Sequence, residues 1–311
     1  MAGQKTVTVI GGSGFLGKYV VRELARSGWR VLVASRRPSM GAQLKPAGDV
    51  GQIVPIRCNI RDMESLKPAL AQSDAVVNMV GILYESGKQK FTTLHAQAPE
   101  KLAQMAASFG IKKFVHVSAL GVDKATNSKY ARSKVLGEKA VLASIPTATI
   151  IRPSVIFGPE DNFINQFACM ASLAPALPLI GGGKTRFQPV YVADVANAVS
   201  ICLNRDDAAG QVYELGGPQI YSFREILELI MRITGKHRKL VNVPFAMAGL
   251  AGTFSEFLPR PPLTRDQVQL LKHDNVVSPS TKGFAALGIS PVSMDVVIPE
   301  YLSRFTRKAA A

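Results

Sequence analysis

The chain has 311 residues, 47% of them hydrophobic and 19% charged, a balance that builds a substantial folded core and excludes disordered or fibrous structure. Its 37 Lys and Arg against 22 Asp and Glu leave a net charge of +15, which draws the protein toward polyanions: nucleic acid, anionic lipid, a phosphorylated ligand or an acidic protein face. Cys58, Cys169 and Cys202 stand far apart without CxxC or Cys–His spacing, which argues against a disulfide framework or a structural zinc site and fits a reducing compartment.

The first strand pattern, Lys5–Ile10, begins at once. It leaves no room for the charged and apolar regions of a signal or transit peptide. No uncharged apolar run reaches the length of about 18 residues that a membrane span needs. The β-branched Val7–Ile10 runs into a turn carrying Gly11, Gly14 and Gly17, and an amphipathic stretch with Leu16, Val20, Val21 and Leu24 follows, ending near Gly28. The next strand is Arg30–Ala34. In this strand–turn–helix–strand order Gly11 permits the tight turn, Gly14 lets the backbone approach a pyrophosphate, and Gly17 lets the helix pack on the strand. The phosphates would sit on the unpaired N–H groups of the helix start. The second strand ends in Arg36 and Arg37, where an NAD site carries an acidic residue; guanidinium suits a ribose 2′-phosphate, so NADP(H) is favoured over NAD(H).

The rhythm continues. Gln52–Ile56 reads as a strand, Met63–Ala71 as a helix, Ala75–Met79 as a strand, Ala96–Phe109 as a helix, Lys113–Ser118 as a strand, Tyr130–Ala143 as a helix and Ala148–Arg152 as a strand. Such alternation predicts an α/β fold, a Rossmann-type doubly wound parallel sheet. Residues 1–158, with a return segment near 187–204, form the expected NAD(P)-binding domain, and 159–311 a smaller C-terminal α/β lobe.

Beyond Pro159 the pattern predicts a helix over Phe163–Ala174 above the cleft, a Pro/Gly-rich loop over Pro175–Gly183 and a strand over Gln188–Val192. A helix capped by Asp194 is expected next, then a strand over Gln211–Leu215 and a helix over Ser222–Thr234 with a Ser222/Glu225 capping box. The basic Lys236–Lys239 precedes an uncharged stretch, 240–255. That stretch either packs on its own lobe or lies at an interface, with Phe245, Met247, Leu250 and Phe254 toward lipid or a partner. His95, His116, His237 and His273 share no ligand spacing, and no metal is assigned.

The chain resembles the extended and atypical short-chain dehydrogenase/reductases. The likeness rests on Gly11, Gly14 and Gly17, Asn78-Met-Val-Gly81, Ser118, Tyr130-Ala-Arg-Ser-Lys134, Arg152 to Pro159, and Phe187 to Asp194. A narrower likeness, in Asn78 to Tyr84, Ser128 to Lys139, Phe157 to Phe163, Pro261 to Lys272 and Asp274 to Val277, is to the nucleotide-binding accessory subunits of respiratory complex I and their bacterial relatives. It implies a tightly held NADPH, a seat near the membrane and quinone site with complex I subunits or an anionic membrane surface as partner, and no established turnover. A location in the cytoplasm, or peripheral on the cytoplasmic face of the inner membrane (the matrix side if organellar), is expected.

The resemblance also implies site residues. Ser118, Tyr130 and Lys134 correspond to the catalytic set, Tyr as acid/base and Lys lowering its pKa. Coenzyme contacts fall on Gly11, Ser13, Gly14, Phe15, Leu16 and Gly17, on Arg36, Arg37, Asn59 and Ile60, and on Val80, Gly81, Tyr130, Lys134 and Pro153. Tyr130 and Lys134 share one helix face, and that pair could equally clamp the nicotinamide ribose. Asn59 at the adenine turn and Phe157, where the family often has an acid and a Tyr, favour holding over turnover. Two functions stay open: an accessory or assembly subunit of an NADH:quinone oxidoreductase, or an NADP-dependent oxidoreductase or epimerase/dehydratase acting on a carbonyl, sugar-nucleotide or quinone-pathway intermediate. The scattered basic residues lack a nucleic-acid motif, and nucleic acid is not expected as a partner.

Overall fold

Four short apolar runs start the architecture. β1 (Thr6–Ile10), β2 (Arg30–Ser35), β3 (Ile53–Arg57) and β4 (Ala75–Asn78) are joined by β5 (Lys113–Val117) and β6 (Thr149–Pro153). The computed structural model describes residues 4–259 and 261–306. The strand Val212–Leu215 completes a seven-stranded sheet in the order Val212–Leu215, β6, β5, β4, β1, β2, β3, every pairing parallel. β1 and β4 are buried throughout, as expected for strands covered on both faces. The order reverses between β1 and β4, so the loops at their carboxyl ends part and open a crevice.

Helices cover both faces. The helix α1 (Phe15–Arg26) buries Gly17, Val20, Val21 and Leu24 and packs with the helix Val192–Asn204 on one side. Ser27 Oγ and Ser200 Oγ, 2.8 Å apart, and Trp29 Nε1 donating to Asn204 Oδ1 at 3.1 Å tie their ends together. On the other face Leu102 and Ala106 of the helix Ala98–Ser108, with Val141 of the helix Lys129–Ser144, meet Val76, Phe114 and Ile150. A separate core, around Phe157, Ile164, Phe223, Ile226 and Ile298, joins the helices Phe163–Leu173, Phe223–Thr234 and Met294–Leu302.

Several elements differ from expectation. Pro175–Gly183 is not a loop: Ala176–Ile180 is a strand paired in parallel with Lys239–Val243. Pro178 is tolerated because the ribbon has only two strands, so an edge is available for a residue without an N–H, while Leu177 and Leu179 fill the second core. The stretch 240–255 accordingly divides at Pro244 into a strand and the helix Phe245–Ser255. Asp194 is not a cap. Its helix starts at Val192, and Asp194 lies in the first turn, accepting a hydrogen bond from the Val292 amide at 2.7 Å. Met63–Ala71 is a 3₁₀ turn, Met63–Leu66, followed by one short α-helix, Lys67–Leu70, because Pro68 fits a helix start and not an interior. The Ser222/Glu225 capping box forms as expected, with both reciprocal bonds made.

A partly buried ion cluster ties the sheet to the helix Lys129–Ser144 and to a neighbouring loop. Arg152 on β6 donates to both oxygens of Glu138 at 3.0 and 2.7 Å, and its Nη1 lies 3.2 Å from Asp123 and 3.6 Å from Glu214. Glu214 in turn accepts the Ser278 amide at 2.8 Å. Removing the guanidinium strands buried carboxylates, so Arg152→Met is expected to lower unfolding free energy by about 3 kcal/mol. Urea denaturation checks this; an unchanged midpoint would mean that the cluster holds nothing together.

Candidate functional site

The turn from β1 into α1 is shaped by two contacts. Gly11 has φ +85°, a conformation that side chains resist. A Cβ on Gly17 would lie 2.3 Å from the Gly11 carbonyl oxygen, so glycine alone lets the helix seat on the turn. Among the described residues no side chain caps α1 at Gly14, and its first turn contains no acidic residue. The N–H groups there therefore face outward with the positive end of the helix dipole behind them. Phe15 and Leu16 offer this site backbone only. The Phe15 ring lies against Tyr19 at 6.2 Å, and Leu16 packs on the first core.

A cleft of about 250 Å³ opens over this terminus. Gly11, Ser13 and Gly14 form its floor, Arg36 closes β2, Asn59, Ile60 and Arg61 follow β3, and Val80 and Gly81 follow β4. Eight of the expected coenzyme residues are thus brought together. Arg37 is not on the wall: it precedes the short helix Pro38–Ala42, and its carbonyl accepts the Ser35 hydroxyl at 3.0 Å. Pro153 is also off the wall, buried at the end of β6 with its carbonyl accepting the Leu120 amide at 2.9 Å. Arg61 was missed, although it lies in the same turn as Asn59, whose side-chain oxygen accepts the Arg61 amide at 3.2 Å. Among the described residues no carboxylate lies within ion-pair distance of Arg36 or Arg61. Two uncompensated guanidiniums therefore flank one end of the cleft.

The other end is built by the helix Lys129–Ser144. Ser128 caps it, accepting the Ala131 amide at 3.1 Å. Asp266, from the far C-terminal region, adds a second cap by accepting the Ser128 hydroxyl at 2.7 Å, the Lys129 amide at 2.7 Å and the Tyr130 amide at 3.1 Å. Lys134 is buried, its Nζ donating to the Val117 carbonyl at 3.2 Å. A methyl on Gly81 would lie 3.5 Å from that Nζ, so Lys134 reaches the cleft wall. Burial draws its pKa down to about 8, with Glu138 opposing. Burial pushes Tyr130 up to about 12, and the Asp266 charge adds to the rise. The phenol is therefore neutral at neutral pH.

Two histidines flank this pair. His95 lies on a π-helical turn, Thr92–Gln97, its ring edge-to-face with Tyr130 at 5.2 Å and stacked on Phe91 at 5.4 Å. His95 Nε2 accepts the Ile82 amide at 3.0 Å, which assigns the proton to Nδ1. That Nδ1–H donates to Ser133 Oγ at 3.1 Å, and Ser133 donates to the Tyr130 carbonyl at 2.7 Å. Asn78 Nδ2 donates to His116 Nδ1 at 3.2 Å. His116 Nε2 and Ser118 Oγ, two residues apart on one face of the chain leaving β5, are buried without a hydrogen-bond partner among the described residues. The structure thus leaves a donor and a hydroxyl free where Lys134 meets β5.

Burial lowers the pKa of His95 to about 2 and of His116 to about 3, with the Lys134 charge contributing to both. The unfolded chain binds protons at both near pH 6.5, whereas the folded chain does not, so stability falls as pH drops from about 6.5 toward 3. NMR titration should find both imidazoles neutral down to pH 5. A midpoint near 6.5 at either ring would contradict this environment.

A parallel sheet with a switch-point crevice and an uncapped glycine-rich helix start defines a Rossmann-type nucleotide-binding protein. The chain belongs to the NAD dependent epimerase/dehydratase family, which residues 7–216 match. It is 36% identical over 312 residues to NADH dehydrogenase [ubiquinone] 1 alpha subcomplex subunit 9, mitochondrial, of Arabidopsis thaliana, across 96% of this chain and 78% of that protein. Its fold is similar to the dTDP-glucose 4,6-dehydratase DesIV of Streptomyces venezuelae solved with NAD and TYD (TM-score 0.74, 22% identity, 96% of each chain). It is also similar to the NADPH-dependent quinone oxidoreductase QOR2 of Escherichia coli solved with NADPH (TM-score 0.74, 20% identity, 96% of this chain and 99% of that one).

Proposed function

We propose that the protein holds NADP(H) as an accessory or assembly subunit of an NADH:quinone oxidoreductase. One observation carries the coenzyme part: Arg36 and Arg61, neither paired with a carboxylate, flank a cleft whose floor is the uncapped start of α1. An anionic diphosphate suits the helix terminus and a further phosphate suits the guanidiniums. The partner part is supported by the Arabidopsis relative, named as a subunit of that complex and alike over most of both chains. In this reading residues 1–158 with 187–204 hold the coenzyme, and the remainder meets the complex at the cytoplasmic (or matrix) face of the membrane. Tyr130 and Lys134 serve as ribose clamps. A phenol held near pKa 12, with an aspartate capping its own helix, is poorly prepared to exchange protons at neutral pH.

The unpartnered Ser118 hydroxyl favours a second reading, an NADP-dependent oxidoreductase or epimerase/dehydratase. There the coenzyme would supply the hydride, Ser118 would orient a carbonyl and Tyr130 would move the proton. Tyr130→Phe separates the two. The accessory reading expects the variant to copurify with the complex in mild detergent, and NADP(H) to remain bound. Loss of the cellular role with coenzyme and complex both retained would favour chemistry. A wild-type chain that never copurifies would remove the accessory reading.

A further inference from the structure

The helix Phe245–Ser255 is turned the opposite way from every expectation for a water-facing helix. It buries Ala248 and Gly252, while Met247, Leu250 and Phe254 are 63%, 62% and 65% exposed. Phe257 at 85% and Leu258 at 53% continue the apolar surface past its end. By contrast, the helix Phe223–Thr234 buries Phe223, Ile226, Leu227 and Ile230 in the ordinary way. The orientation has a steric cause. A Cβ on Gly252 would stand 2.7 Å from the Arg265 amide nitrogen, so the small-residue side fits against the segment at Thr264–Arg265 where a Met or Phe side chain would not. Phe245, which the interfacial alternative put on the outer surface with the others, packs inward against Gly181, with Lys272 Nζ 6.0 Å above its ring.

The charge along the stretch of chain that carries this ridge is one-sided. Among the described residues of 232–272, Arg232, Lys236, Arg238, Lys239, Arg265 and Lys272 stand against Glu256 and Asp266. Both acids are engaged with backbone amides. Glu256 accepts the Arg265 amide at 2.9 Å, and Asp266 caps the helix Lys129–Ser144. Among the described residues no helix is long and apolar enough to cross a membrane. What the segment presents is a surface helix with bulky apolar side chains outward, with Arg265 and Lys272 packed beside it and a basic stretch preceding it in the chain, a combination suited to the plane of a charged membrane interface.

We propose that this ridge seats the protein on an anionic bilayer, with Met247, Leu250, Phe254 and Phe257 entering the acyl boundary and the surrounding lysines and arginines meeting lipid phosphates. The inference goes beyond the coenzyme and complex I reading and does not depend on it, because its test needs neither.

Purified full-length protein is floated with phosphatidylcholine vesicles with and without phosphatidylglycerol. The wild type is expected to float with the phosphatidylglycerol vesicles and to be partly released by salt. L250S/F254S should lose about tenfold or more of the vesicle-bound fraction, with its thermal melt and NADPH affinity unchanged, since both side chains are exposed. K236Q/K239Q should bind several-fold more weakly. In Phe254→Trp, brominated acyl chains should quench the added indole and leave buried Trp29 unquenched. A wild type that stays in solution with both vesicles overturns the proposal, as does L250S/F254S floating like wild type, which would mean adsorption by charge alone. Loss of a copurifying protein from L250S/F254S, with no vesicle binding by the wild type, would assign the ridge to a protein partner instead and equally overturn it.

Discussion

The start of α1 is an electrostatic demand that the rest of the nucleotide half answers. Gly17 must pass close to the Gly11 carbonyl for the helix to sit on β1, and among the described residues no side chain caps the terminus this creates and no acid lies in its first turn. The sheet order places that terminus in the crevice between β1 and β4, beside the loop Met79–Ile82. Arg36 and Arg61 extend the positive field away from it. A chain with +15 net charge thus concentrates uncompensated cations and amide groups where a dinucleotide's phosphates would neutralise them.

The opposite end of the cleft is governed from the C-terminal region. Asp266 completes the cap of the helix that carries Tyr130 and Lys134, a favourable placement for a negative charge at a helix start. The same charge works against a phenolate at Tyr130. Asn275 extends the tie. Its side chain donates to the Leu120 carbonyl at 3.0 Å and accepts the Ser154 hydroxyl at 2.6 Å. These bonds attach the segment that follows the exposed apolar ridge to the loops around β5 and β6. The arrangement secures the geometry at this end of the cleft.

What the amino-acid sequence made legible is what local physics controls. The strands of the sheet follow from β-branched runs, the turn from glycines at fixed spacing, and Arg36 from its position after the second strand. The Ser222/Glu225 box follows from three-residue spacing. Illegible were the pairings made across long chain separations. Asp266 lies 136 residues from the amide it caps, and His95 acts through the Ile82 amide and the Ser133 hydroxyl, contacts that no motif spacing encodes. Pro178 concealed a strand because its two-stranded partner supplies the edge that excuses a missing N–H. The apolar stretch near 250 was visible, but which side of its helix faces out was set by Gly252 against Thr264–Arg265, and that assignment reversed Phe245.

The central claim is that this cleft retains NADP(H). Protein purified from the cells that make it, without added nucleotide, would be denatured and its released small molecules quantified by mass spectrometry. The account predicts near-stoichiometric NADP(H). Folded protein that releases only NAD(H), or that releases nothing and takes up no NADPH on titration, would contradict it.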